Sequence, residues 1–292
     1  MTPSRFTVAL AQFAVGPDRE RNVCRGLDIL SEAAGRGAQA ICFAELSFLP
    51  FFPHVRADGA YFGWAEPICG PTVQRFREAA REHGILTIIN IYERTERHDY
   101  FDTAVVLHPD GREPDSYRMA HLAESAAFNE KFYYWPGDSG YPVFDTCLGS
   151  IGVAVCHDRQ FPEVFRSVAL SGANVVFVPT AYSCAAFASN RKFFEIPNQA
   201  ASMANGIFTV CVNRVGPGGC GDRVPGIPEG KLNFCGSSFI TSPFGEIIGQ
   251  AAENADDLRL LELDLAMVQS ARERRPFLRD RRPNTYGKLL QF

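Results

Sequence analysis

Strand-length apolar runs alternate with amphipathic helical stretches along almost the entire chain, and no other feature of the sequence constrains the fold as tightly. Phe6–Phe13 is the first run. In the stretch after it, Val23, Leu27, Leu30 and Ala34 recur on one helical face, and Gly35 and Gly37 end it. Ala38–Leu46 reads as a second buried strand, and the Pro- and Phe-rich segment Ser47–His54 as a loop. Thr72–His83 reads as a helix, and Ile85–Glu93 and Phe101–His108 as strands, the latter closed by a turn at Pro109-Asp110-Gly111. After a loop-rich middle section the order returns. Ser150–Cys156 is a strand, and Pro162 suits the first turn of the next helix. Asn174–Pro179 is a strand, Arg191–Ala204 a helix and Phe208–Asn213 a strand. Gly218–Gly230 is rich in Gly and Pro, hence a loop. Gly236–Thr241 and Glu246–Gly249 flank a hairpin turn, and Leu258–Leu265 is the last strand, before a helix around Met267–Arg275. No linker interrupts the alternation, so the expectation is a single α/β domain over residues 1–292.

At 292 residues and 46% hydrophobic, the chain can bury a substantial core. A net charge of −4 offers no electrostatic reason for a nucleic-acid or anionic-membrane partner. No apolar run reaches the roughly 18 residues of a membrane span, and Met1–Phe13 lacks the pattern of a signal peptide. A cytoplasmic protein is therefore expected. The nine cysteines are odd in number and scattered, with no C-x-x-C pair, which argues against a zinc site or a disulfide framework. His54, His121 and His157 likewise show no metal-binding spacing.

Two residues stand out by position. Cys156 ends the apolar strand SIGVAVC, just before a helix. Backbone N–H groups at such a turn can face an oxyanion, and nearby charge can tune the thiol; the alternative is that Cys156 is simply the last core residue of its strand. Glu45 holds the matching place on another strand, where it could take the proton of a thiol; the alternative is an edge-exposed glutamate. Both lie at the carboxyl ends of strands, where open α/β sheets place their sites.

The FAEL around Glu45, the CHDRQFPE from Cys156 and the SSFITSPFGEI from Ser237 resemble the three signature regions of the nitrilase superfamily. NEKFYYWPGDSGYPVF (Asn129–Phe144) and RDRRPNTYG (Arg279–Gly287) resemble its carbamoyl-hydrolysing branch, which includes N-carbamoylputrescine and N-carbamoyl-D-amino-acid amidohydrolases. The resemblance runs in order from Phe6 to Gly287. It implies a four-layer αββα sandwich, a small-molecule substrate, a homodimer or higher homo-oligomer, and a Glu–Lys–Cys triad that needs no metal or organic cofactor. It also implies the roles. Cys156 would be the nucleophile, Glu45 the general base and Glu130 a second glutamate that positions the substrate amide. The backbone N–H of His157 would help hold the oxyanion. The reaction would be hydrolysis of a non-peptide C–N bond through a thioester.

The chain departs from this pattern at one place. The family's lysine falls in a stretch reading Tyr-Arg-Lys-x-His, and this chain reads Tyr117-Arg118-Met119-Ala120-His121. Met119 has the length of a lysine but neither its charge nor its three donors. Arg118 is a poor substitute because adjacent strand residues face opposite sides, and Lys131 has its own family counterpart. Impaired activity is the expectation, and an aliphatic amidase, a nitrilase, or an inactive relative that binds or assembles are the alternatives. Arg159, three residues past Cys156, resembles the arginine that grips a substrate carboxylate in D-carbamoylase-like enzymes, a job suited to a bidentate guanidinium. A salt bridge with Asp158 or Glu163 is the competing reading. Phe48, Phe51 and Phe52 could wall a pocket or serve packing and dimer contacts.

Overall fold

The computed structural model describes residues 3–125, 127–183, 191–218 and 232–291. Helix α1 (Arg19–Gly35) and β1 (Arg5–Gln12) open the chain. They are followed by β2 (Ala40–Phe43), helix α2 (Pro71–His83), β3 (Leu86–Arg94), β4 (Tyr100–Leu107) and β5 (Asp115–Arg118). The two-residue strands β6 (Glu124–Ser125) and β7 (Phe128–Asn129) lead into a single helical turn, α3 (Glu130–Tyr133). Next come β8 (Val143–Thr146), β9 (Gly149–Val153), α4 (Pro162–Leu170), β10 (Val175–Thr180), α5 (Lys192–Asn205) and β11 (Phe208–Asn213). A small ribbon of β12 (Val215–Pro217) and β13 (Asn233–Cys235) precedes β14 (Phe239–Thr241), β15 (Ile247–Gln250), β16 (Asp257–Asp264) and α6 (Ala266–Arg274).

Two six-stranded sheets result, in the orders β16-β1-β2-β3-β4-β5 and β15-β14-β11-β10-β9-β8. Strands β1, β2 and β3 run parallel in one, and β9, β10 and β11 in the other. Side chains alternate between the faces of a strand, and the core divides accordingly. Val8, Leu10 and Ile88 of the first sheet pack against Ile151, Val153, Phe177 and Val210 of the second. The opposite face of the first sheet takes Val23, Leu30, Val73 and Phe76 from α1 and α2, and that of the second takes Val164, Phe165, Phe194 and Ala201 from α4 and α5. The layers are therefore αββα, as the resemblance implied.

The expected strands and helices recur with ends shifted by a few residues. Ser150–Cys156 is shorter as a strand, ending at Val153 before Cys156 opens a tight turn. The aromatic loop serves packing: Phe48 stacks with Phe43 and Phe76 on the helix side, while Phe51 and Phe52 are fully buried between the sheets. The loop expected over Gly218–Gly230 lies, beyond Gly218, outside the described residues. Among the described cysteines six are free thiols and Cys235 is disulfide-bonded. Among the described residues no helix is long and apolar enough to cross a membrane.

Candidate active site

Glu45 lies two residues past the carboxyl end of β2, and the chain turns sharply there, with Leu46 at φ 47. Cys156 lies three residues past the carboxyl end of β9 at φ 41. A non-glycine residue holds that conformation at a cost of about 1–3 kcal/mol, so the surroundings must enforce it. Asp158 does so. Fully buried, it accepts hydrogen bonds from the amide of Val155 (3.1 Å), the hydroxyl of Tyr117 (2.8 Å), and the amide (3.0 Å) and Nδ1 (2.8 Å) of His121. Glu130 opens α3, its Oε2 accepting the Ala123 amide at 2.6 Å.

The sandwich brings these three together: a carboxylate oxygen of Glu45, one of Glu130 and the sulfur of Cys156 all lie within 4.8 Å of one another. Glu45 and Glu130 are fully buried, so Glu45 is no edge-exposed glutamate, and Cys156 is 5% exposed. The three are close enough to share a metal ion, but the set mixes hard oxygens with soft sulfur and holds no imidazole, so we assign none.

Met119 follows β5 directly and is buried in the inter-sheet core that also contains Cys156 and Tyr134. Its amide donates to the Asp102 carbonyl (2.9 Å), and its carbonyl accepts from Gly137 (2.8 Å). Only glycine fits at Gly137, because a Cβ there would strike the backbone of Arg118. Arg118 does face away, pairing with Glu93 (2.6 Å) and lying over the Phe101 ring (4.0 Å). Lys131 is exposed.

A cation close to the sulfur is Arg159, whose Nη1 is 3.9 Å from Sγ and 2.8 Å from the Cys156 carbonyl. It is 6% exposed and makes no ion pair with Asp158 or Glu163, and its Nε has no acceptor. Arg159, Cys156, His157, Phe128, Tyr182 and Phe193 line a cavity of about 350 Å³. His157 packs its half-buried ring edge-on to Phe161. Its amide sits in the first turn of a short helix, where N–H groups lack an intrahelical acceptor.

Without an ammonium the charge balance falls on protons. Burial, then the nearby Glu130, push Glu45 up to about 7. Burial, with Asp102 and Asp158 nearby, pushes Glu130 up to about 8 against the pull of the Ala123 amide. Burial and Glu45 push the Cys156 thiol well above its usual range, and Arg159 opposes them. Three participants escaped sequence reasoning. Asp102 is a further buried carboxyl, Asn90 holds it, and the Tyr134 hydroxyl is buried among these acids without a hydrogen-bond partner. A carboxylate or amide inside an otherwise apolar strand, as in FDTAVVL and ILTIINIYE, was the available signal.

The strand-end thiol and the two glutamates therefore meet at one point of an αββα sandwich. The sequence profile of the carbon–nitrogen hydrolase family matches residues 7–273, and the chain belongs to that family. It is 32% identical to the N-carbamoylputrescine amidase of Arabidopsis thaliana over 97% of this chain and 94% of that one. It is 27% identical to the citrullinase of Francisella tularensis over 99% of both chains. The carbon–nitrogen hydrolase from Helicobacter pylori G27 superposes with a TM-score of 0.91 at 28% identity, covering 98% of this chain and 99% of that one.

Proposed function

We propose that residues 1–292 form one hydrolase domain that cleaves the C–N bond of a linear carbamoyl or amide compound through a thioester on Cys156. The observation that supports this most directly is the approach of Cys156, Glu45 and Glu130 within 4.8 Å beside a cavity of about 350 Å³. In this reading the Cys156 proton passes to Glu45 and the sulfur adds to the carbonyl carbon. The oxyanion is held by the His157 amide, and Glu130 orients the substrate nitrogen. Ammonia or an amine leaves with the proton from Glu45, and water then hydrolyses the thioester. Met119 slows this sequence by leaving the thiolate without its ammonium.

The substrate carries a carboxylate, for which Arg159 is the anchor: a buried guanidinium with an unfilled donor at the cavity wall. Arg159→Ala should weaken binding of an N-carbamoyl amino acid by about 1.5–3 kcal/mol and leave neutral amides nearly unaffected. Calorimetry on both ligand types checks this, and an equal loss for both would make Arg159 structural. The function itself is tested by incubation with carbamoyl amino acids, amides and nitriles, measuring ammonia and the intact mass. A Cys156 acyl adduct, absent in Cys156→Ala, supports the reading. Preference for a nitrile or an unsubstituted aliphatic amide would move it to those classes.

Met119 favours a second reading, a ligand-binding protein without turnover. Saturable binding with no adduct and no ammonia, even after Met119→Lys, would establish it. A homo-oligomer completes the proposal, to be checked by light scattering.

A further inference from the structure

The register of the first sheet places a carboxyl group beside the position the lysine would occupy. Thr103 pairs with Arg118 across β4 and β5, and the next bond of the ladder runs from the Met119 amide to the Asp102 carbonyl at 2.9 Å. Asp102 therefore lies opposite Met119, with both side chains on one face. The other face is accounted for by Glu93, which accepts from Thr103 Oγ1 (2.6 Å) and Arg118 Nε (2.9 Å). Asp102 is 1% exposed. Asn90 of β3 donates to its Oδ1 at 2.5 Å, and the Asn90 oxygen accepts the Leu46 amide at 2.8 Å, tying Asp102 to the segment that carries Glu45. Asp102 Oδ2 and both Glu45 oxygens receive no bond from any amide, hydroxyl or guanidinium.

Charged groups on every side make two adjacent carboxylates untenable. Glu45 from the turn after β2, Glu130 from α3 and Asp158 from the turn after β9 all add negative charge around Asp102. Arg214 directs its donors to the carbonyls of Glu45, Leu46 and Leu49, and Arg159 lies at the Cys156 carbonyl. A pair of buried carboxyls in that setting shares one proton. Burial, with Glu45 second, accordingly pushes Asp102 well above the ordinary carboxylate range.

We propose that Asp102 is a positioning residue of the hydrolase site: held as the carboxylic acid, it donates a hydrogen bond to Glu45 across the space where Met119 supplies no ammonium, and so keeps Glu45 ionised and aimed at the Cys156 thiol. This rests on the reading of Cys156 as nucleophile and Glu45 as base. Asp102 keeps its proton through the cycle. The proton that moves is the thiol's, which passes to Glu45 and then to the departing amine.

Infrared spectroscopy of the protein labelled with ¹³C-aspartate tests the proton directly. At pH 7 the wild type should show a protonated aspartate carboxyl band that is absent in Asp102→Asn and replaced by the ionised band in Met119→Lys, where an ammonium takes over. Alkylation of Cys156 by iodoacetamide tests the effect. Asp102→Asn, which still donates, should stay within about threefold of wild type, and Asp102→Leu, which cannot, should fall by about tenfold or more. A wild-type spectrum with no protonated aspartate at pH 7, or equal losses in the Asn and Leu variants, would overturn the proposal. Should the Leu variant fail to fold, the spectra of wild type, Asp102→Asn and Met119→Lys still decide it. The spectra need no turnover, so a missing hydrolysis would count against the proposed function and not against this protonation.

Discussion

Met119→Lys should raise the reactivity of Cys156 by about 10²–10³ at neutral pH, the range associated with one donor at a developing anion. The position is 1% exposed, and an isolated buried ammonium there would be strongly destabilising. It would not be isolated. Methionine and lysine have similar length, and the side chain would arrive among Asp102, Glu45 and Glu130, three buried acids each pushed up by burial and by one of the others. An ammonium there pulls both glutamates back toward their ordinary range and stabilises the thiolate and any oxyanion formed from substrate. The measurement is the pH dependence of Cys156 alkylation, with peptide mapping to separate it from the other thiols. The apparent pKa should move down, since burial and Glu45 now hold it well above the usual thiol value. An unchanged pKa in a folded variant would refute the assignment of position 119 as the cation site.

Glu45→Gln and Glu130→Gln should each stabilise the protein at pH 8 and leave it nearly unchanged at pH 5, although Glu45→Gln removes the proposed base. The folded values of about 7 and about 8 lie above the ordinary glutamate value of 4.5. Near pH 4.5 and below, both states are protonated and no difference arises. As pH rises past 4.5 the unfolded chain ionises first, so the native state loses stability until pH passes the folded value. Over that window ionisation costs about 3 kcal/mol at Glu45 and about 5 kcal/mol at Glu130. Glutamine removes the ionisation while preserving shape, and in Glu130→Gln the amide oxygen can still accept from Ala123. For a chain of this size the gain amounts to a melting-temperature rise of about 5 °C or more at pH 8. Melting curves at pH 5 and pH 8 check it. Destabilisation of both variants at pH 8 would mean that the folded values of the glutamates lie below, not above, the ordinary 4.5.

The layered fold was legible because its physics is local and periodic. Alternating apolar runs such as FTVALAQF and FTVCVN bury both faces of parallel strands, and of the expected α1 stripe Val23 and Leu30 are buried while Leu27 and Ala34 pack partly buried against the same cluster. Short pieces were missed for the same reason: β5 and β8 are four residues each, with no periodicity to distinguish them. Glu45 and Cys156 could be found because each closes an apolar run, and Glu130 and Met119 because the motif around them is familiar.

What the sequence by itself determined is the inventory: a thiol, two site glutamates, an arginine three residues after the thiol, and a methionine in place of an ammonium. Tertiary structure alone decided how those groups pair. Nothing local says that Asp102 faces Met119 and Glu45, because that depends on the β4–β5 register and on Asn90 bridging from β3. Nothing local says that Arg159 avoids Asp158, which Tyr117 and His121 occupy from a distant segment. Charge and hydrogen bonding act through space between residues about 10 to 110 positions apart in the chain, and only the sheet register and the closing of two sheets on each other bring them within reach.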